Sequence, residues 1–221
     1  MSGPSGTSDP SGTSDPSGTS GPSGTSDRAP LRVAVLVGST REGRFAPVVT
    51  KWLTGHLGHR DDLRADVVDL AETPLPTVLP AFGQEPPPGT AEALALVTPR
   101  LAAADAFVFV TPEYNHSYPA ALKNAVDWHN EQWHGKPVAF VSYGGLSGGL
   151  RAVEHLRVVM AELNAMTIRN TVSFHNAFGA FAADGRVDDP AVDTAAKAML
   201  DQLTWWAHAL RDAKRTRPYP A

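Results

Sequence analysis

Short, continuous apolar runs alternate with longer amphipathic stretches along most of this chain. Residues 31–37 (LRVAVLV), 106–111 (AFVFVT) and 137–142 (PVAFVS) are apolar with little alternation. Such runs read as strands covered on both faces, as in a parallel sheet. Residues 64–70 (RADVVDL) and 166–172 (MTIRNTV) are more mixed and give two further strands. Helices are predicted over 45–58, where Pro47 is tolerated in the first turn, and over 90–104, 119–132, 149–163 and 190–212. In the fourth of these, Val153, Leu156, Val159, Met160 and Leu163 share one face. The proline-rich stretch 71–89 reads as an irregular loop.

Five strands alternating with five helices imply a parallel sheet with helices on both faces, a three-layer α/β sandwich. Right-handed crossovers leave few topologies. The chain offers five strands, and its first strand–helix turn lacks G-x-G-x-x-G. We therefore expect the flavodoxin-like order 2-1-3-4-5 over a longer Rossmann sheet. In such sheets ligands sit outside the carboxyl ends of the strands, so the loops after strands one, three and four should carry function.

The N-terminus is different in kind. Residues 4–27 hold four copies of the hexapeptide Pro-Ser-Gly-Thr-Ser-Asp, with Gly21 in place of Asp in the third. This composition cannot bury apolar surface and predicts a disordered tail over 1–29, ahead of a folded domain at 30–215 and a short C-terminal tail at 216–221. Over the whole chain the composition is that of a globular protein, with 42% hydrophobic and 19% charged residues. Of the 23 acidic residues three lie in the first 27 positions, which carry no Lys or Arg, so the remainder is nearly neutral with 20 acids against 19 bases. That balance does not suggest a nucleic-acid partner. With no cysteine there are no disulfides, thiolate metal sites or cysteine nucleophile. Neither a transmembrane run nor a secretory signal is read, and the cytoplasm is the default location.

Three loops offer chemistry. The first, Gly38-Ser39-Thr40-Arg41-Glu42-Gly43-Arg44, joins a strand to a helix start with two hydroxyls and two arginines. Helix-start amides, hydroxyl donors and guanidinium groups together suit a phosphate monoester. It is not a P-loop, since G-x-x-x-x-G-K-[ST] is absent. The second, 111–119, is stiffened by Pro112 and Pro119 and displays Glu113, Tyr114 and Asn115. A rigid polar loop at a strand end can support a planar ligand and bond its edge. His116 reads as a coenzyme, subunit or solvent contact. The third, 142–149, places Gly144, Gly145, Gly148 and Gly149 where backbone can approach a ligand closely. Gly145-Leu146-Ser147-Gly148-Gly149 also fits a nucleophile-elbow spacing, but the wide hydrolase sheet is missing.

These residues resemble the NADPH-dependent FMN reductase family, which includes quinone, chromate and azo-dye reductases. Gly-Ser-x-Arg-x-Gly-Arg at 38–44 is similar to its phosphate loop. Pro112-Glu113-Tyr114-Asn115-x-Ser117-x-Pro119-x-x-Leu122-Lys123-Asn124-x-x-Asp127-Trp128 is similar to its long central signature. The resemblance covers about residues 31–175. It implies FMN with its phosphate on Ser39, Arg41 and Arg44, and its ring beside Pro112, Glu113, Tyr114 and Asn115. Gly144, Gly145 and, less directly, Ser147 would lie along the same ring. It implies NADPH or NADH as cosubstrate, a small electron acceptor, and a homodimer or homotetramer. A partner monooxygenase is a further candidate recipient of reduced flavin. No catalytic side chain and no metal are expected, because hydride passes directly between cofactors. Leu122-Lys123-Asn124 and Asp127-Trp128 read either as subunit-interface residues or as packing that sets the loop, with packing favoured for Leu122, Asn124 and Trp128. The competing readings are a flavodoxin-like electron carrier without coenzyme turnover and an interaction module tethered by the hexapeptides.

Overall fold

The computed structural model describes residues 29–81 and 83–220; the hexapeptide tail expected over 1–29 lies, but for Ala29, outside the described residues. Five parallel strands form one sheet: β1 (Leu31–Val37), β2 (Leu63–Asp69), β3 (Ala106–Pro112), β4 (Pro137–Tyr143) and β5 (Met166–Phe174). Their order is β2-β1-β3-β4-β5, as the sequence predicts. Every residue of β3 and β4 is buried, whereas the outer strands β2 and β5 alternate more. The continuous apolar runs therefore mark the centre of the sheet.

Six helices among the described residues cover it: α1 (Ala46–Gly58), α2 (Pro88–Ala103), α3 (Ala120–Asp127), α4 (Leu150–Glu162), α5 (Ala177–Ala180) and α6 (Pro190–Thr216). Side chains from α1, α5 and α6 pack one face around Val33, Val35, Val108 and Val141. Those from α2, α3 and α4 pack the other around Leu36, Phe107, Phe109 and Phe140. A Pro190 at the first turn and an Asp189 carboxylate accepting from the Ala191 amide at 2.9 Å start α6.

Several elements differ from the sequence expectation: α2 starts two residues early at Pro88, β5 runs on to Phe174 and α6 to Thr216, and α3 and α5 differ more. Helix α3 stops at Asp127, five residues early. There Trp133 folds back fully buried against Phe107 and Phe109, and its indole N–H reaches the carbonyls of Val126 (3.3 Å) and His129 (2.8 Å). An indole that satisfies the last carbonyls replaces another helical turn. The short α5 was not foreseen, because four residues are too few to show a helical period.

At the opposite end of the sheet from the functional loops, the Lys136 ammonium caps α2 by donating to the carbonyls of Leu101 (2.9 Å) and Ala102 (3.0 Å). Burial holds this lysine down to about 8, with Lys214 adding repulsion and Asp105 opposing it. At pH 7 it is protonated in folded and unfolded chains alike. Above pH 8 the folded chain releases the proton while the unfolded chain keeps it until the ordinary value of 10.5. The unfolded state then binds more protons, so stability should rise with pH across that window. Thermal midpoints of wild type and Lys136→Met at pH 7 and pH 10 check this: the difference should move in favour of wild type, and an unchanged difference would refute it.

Candidate functional site

The parallel order brings the C-terminal ends of β1, β3 and β4 side by side, and the three loops meet there. The first leaves β1 at Gly38, whose amide donates to Val110 at 2.9 Å. A Cβ on Gly38 would stand 3.0 Å from Cδ2 of Leu122, so only glycine lets the loop pass α3 at this distance. Gly43 turns the chain at φ 64°, in the left-handed region that favours glycine. Helix α1 then begins without a capping side chain and without an acid in its first turn. Among the described residues, the amides of residues 39–43 make no hydrogen bond. A loop of unbonded amides leading into an uncapped helix start, next to hydroxyls, is a place for an anion.

The two arginines of this loop play different parts. Arg44 Nη1 binds the Asp69 carboxylate at 2.6 Å and the Ser39 carbonyl at 3.0 Å, which ties the loop to the end of β2. The Asp69 hydrogen bond holds the guanidinium firmly protonated against the cost of burial. Its Nε and Nη2 have no partner among the described residues. Arg41 is exposed, with its guanidinium carbon 5.9 Å from the centre of the Tyr114 ring. Ser39 is buried, and its Oγ shares a 2.7 Å hydrogen bond with the Tyr114 hydroxyl.

The second loop is a tight turn. The amide of Tyr114 donates to Ser117 at 2.8 Å and that of Ser117 to Tyr114 at 3.1 Å, with Asn115 (φ 50°) and His116 (φ 70°) between them. Two central residues with positive φ are what a type I′ turn requires. Glu113 turns its carboxylate away along the sheet edge. It accepts from Ser147 Oγ (2.5 Å), Arg151 Nη1 (2.6 Å) and the Arg151 amide (3.3 Å). Burial raises the Glu113 pKa, but the Ser147 and Arg151 hydrogen bonds outweigh it and hold the group below its ordinary value. The carboxylate thus braces the third loop and the start of α4.

In the third loop Gly149 has φ 86°, and a Cβ there would meet the Ser142 Cβ at 2.7 Å. Its carbonyl groups are also used: Gly144 and Gly145 accept from the amides of Ala177 (3.0 Å) and Asn176 (2.8 Å), which fixes α5 against the loop. A Cβ on Gly145 would meet nothing within 4 Å.

Together the loops enclose a cleft of about 340 Å³. Of the residues expected from sequence, Ser39, Arg41, Arg44 and Glu113 border it, as do Pro112, Tyr114, Gly144 and Gly145. Asn115 sits at the turn tip outside the lining, and Ser147 faces Glu113 instead. Ser147 Oγ donates to Glu113, and among the described residues no histidine bonds it, so the nucleophile-elbow spacing comes without a serine–histidine pair. Sequence reasoning missed Phe45, Tyr143 and Phe178, which supply aromatic wall, and Asp69, which pairs Arg44. Phe45 meets Phe178 at 5.0 Å and Tyr143 at 6.2 Å between ring centres. The central signature is explained by packing: Leu122 is buried against Gly38, while Asn124 Nδ2 binds the carbonyls of Leu75 and Pro76 and Trp128 Nε1 that of Pro76 at 2.7 Å. These bonds pin the proline-rich loop beside the cleft. A larger hollow of about 400 Å³ between β2 and α2 contains the Arg100–Asp66 ion pair and offers no comparable set of amides.

Free amides, a serine, an exposed arginine, aromatic walls and a glycine opening fit a phosphorylated planar ligand. The sequence model of the NADPH-dependent FMN reductase family matches residues 31–179, spanning all three loops. The chain belongs to that family. An NAD(P)H-dependent FMN reductase from Schizosaccharomyces pombe is 41% identical over 123 residues, covering 53% of this chain and 60% of that protein. A quinone reductase from Escherichia coli is 34% identical over 179 residues, covering 79% of this chain and 90% of that one. Among solved structures, the flavoenzyme NAD(P)H:(acceptor) oxidoreductase FerB from Paracoccus denitrificans superposes with a TM-score of 0.64 at 26% identity, covering 81% of this chain and 98% of that chain. Membership places this protein among the FMN-dependent NAD(P)H oxidoreductases. No helix among the described residues is long and apolar enough to cross a membrane.

The Glu113 brace can be tested without a ligand. Glu113→Ala should cost about 1–3 kcal/mol, the range for losing charge-assisted hydrogen bonds at a buried acid. Because the folded pKa is depressed, the stabilisation is present above the ordinary carboxylate range and is lost as pH falls through the folded value. Urea unfolding at pH 7 and pH 3 should show the mutational penalty shrinking at low pH; a penalty equal at both would refute the ionic brace.

Proposed function

We propose that the cleft binds FMN with its phosphate on the amides of residues 39–43, Ser39, Arg41 and the free edge of Arg44. In this reading the ring lies along Pro112, Glu113, Tyr114 and Asn115, with Gly144 and Gly145 at its other edge and Ser147 acting through Glu113. The observation that carries the assignment is the run of amides at residues 39–43, unbonded among the described residues, in the loop that leads into the uncapped start of α1, with Arg44 paired to Asp69 and Arg41 in no ion pair among those residues. Bound FMN supplies hydride acceptance from NADPH or NADH and delivery to a small acceptor.

The protein's own contribution is placement and electrostatics. Arg44, held by Asp69, fixes the loop; Arg41, unpaired, adds charge at the phosphate. Pro112 and the Tyr114–Ser117 turn make the platform rigid, so little order must be gained on binding. Backbone donors along the pyrimidine edge would stabilise negative charge on the reduced ring. No side chain in the lining is asked to move a proton. Acceptors of quinone, flavin, azo, nitro or metal-oxyanion type fit an open cleft, and the quinone reductase and acceptor oxidoreductase names of two relatives support that class. Release of reduced FMN to a partner monooxygenase is the alternative role. The reductase unit is residues 30–215. Exposed Phe178, Leu146 and Leu150 near the mouth are consistent with a homodimer or homotetramer closing over the flavin. A cytoplasmic setting goes with soluble nicotinamide coenzymes.

An electron carrier without coenzyme turnover is the competing reading, and its near-neutral charge makes it the weaker one. The purified protein should bind one FMN per chain and lose its yellow colour on anaerobic addition of NADPH or NADH. Arg41→Ala should weaken FMN tenfold to a hundredfold, as about 1.5–3 kcal/mol per charge-assisted bond implies, with little change for riboflavin. A protein that ignores FMN, or an Arg41→Ala variant with unaltered FMN affinity, overturns the assignment.

A further inference from the structure

Tyr143 ends β4 with its side chain in the cleft wall. The residue is 5% exposed, and its hydroxyl oxygen is buried without a hydrogen-bond partner. Two other buried polar side-chain atoms among the described residues share that state, Thr50 Oγ1 and Arg211 Nε, and neither residue borders the cleft. A buried hydroxyl left unpaired is costly, and folds keep such a group where something else needs it. The ring itself is well packed, against Phe45 and within the core on the α1 side.

The surroundings say what the hydroxyl is for. Burial pushes the phenol up, and the Ser39 hydroxyl lies near enough to oppose this by hydrogen bonding, with Tyr114, Arg44 and Asp69 also bearing on it; the two hydroxyls face each other without a hydrogen bond of good geometry. It therefore remains a protonated donor at any ordinary pH, and it sits beneath the phosphate loop. The Ser39 hydroxyl is at present shared with Tyr114 at 2.7 Å. A serine hydroxyl has one proton to give and two lone pairs to receive. An anion on the neighbouring amides draws that proton, because a charge-assisted hydrogen bond is the stronger one. Ser39 Oγ is then free to accept, and the unpartnered phenol beneath it is the donor.

We propose that Tyr143 is a positioning residue for the flavin phosphate, its phenol donating to Ser39 Oγ while Ser39 donates to the phosphate monoester. The inference rests on the FMN reading of the cleft. It adds a means of choosing FMN over riboflavin: a ligand without the phosphate does not turn Ser39, and the phenol stays unpaired. No bond is made or broken in this relay; two hydrogen bonds are formed in series and polarise each other.

The test uses apoprotein titrated with FMN and with riboflavin, followed by flavin fluorescence, together with thermal midpoints without ligand. Tyr143→Phe keeps the ring and removes only the hydroxyl. It should weaken FMN about tenfold and leave riboflavin unchanged. Its ligand-free midpoint should equal or exceed wild type, because the lost hydroxyl was unsatisfied. Ser39→Ala should weaken FMN as well, and the double variant should be no weaker than Ser39→Ala alone, since both act through one chain of bonds. The proposal is overturned if Tyr143→Phe binds FMN like wild type, if it loses FMN and riboflavin equally with a lower midpoint, or if the two substitutions add. Wild-type apoprotein that fails to bind FMN removes the underlying reading as well. Wild type that binds FMN alongside an indistinguishable Tyr143→Phe removes the relay alone.

Discussion

Five backbone amides at residues 39–43, without partners among the described residues, set the terms for the rest of this structure. Unpaired donors at a helix start are tolerable only where water or an anion reaches them, so the loop has to stay open and has to hold its shape while open. The contacts around it serve that end. Gly38 lets β1 pass Leu122 closely, the Arg44–Asp69 pair ties the loop to β2, and the Glu113 carboxylate binds the third loop to the start of α4. Each stands at the end of a different strand, and the parallel order 2-1-3-4-5 is what brings those ends together.

Charge is divided between framework and ligand. Arg44 and Glu113 are little exposed and carry internal partners, so their charges fix geometry. Arg41 carries no ion pair among the described residues and lies by Tyr114 at the cleft rim. This division keeps the folded chain close to neutral while leaving one cation for a phosphate. It also explains how a cleft with no histidine or cysteine machinery belongs to an oxidoreductase family: the cofactor supplies the reactivity and the protein supplies fixed dipoles.

The fold was legible from sequence because β1, β3 and β4 are unbroken apolar runs and the helices between them are long enough to show a period. Eight of the expected site residues meet at one cleft because Gly-Ser-x-Arg and Pro-Glu-Tyr-Asn sit directly at strand ends, where topology alone fixes neighbours. Three kinds of feature were not legible. Asp69 closes a mixed strand and looks like ordinary strand polarity until β2 places it beside Arg44. Tyr143 falls in the glycine-rich loop 142–149 with no signal of its own, and only the geometry shows its hydroxyl unpaired. Glu113 and Ser147 also carry a structural bond that motif spacing does not show, since the carboxylate accepts from Ser147 and from Arg151 on α4. The early end of α3 depended on Trp133, a tertiary contact with no local signal.

The most direct measurement is a crystal structure of the protein saturated with FMN. The account predicts density for the phosphate against residues 39–44, with the ring along Pro112–Asn115 and Gly144–Gly145. Flavin density elsewhere, or a phosphate displaced from the start of α1, would contradict it.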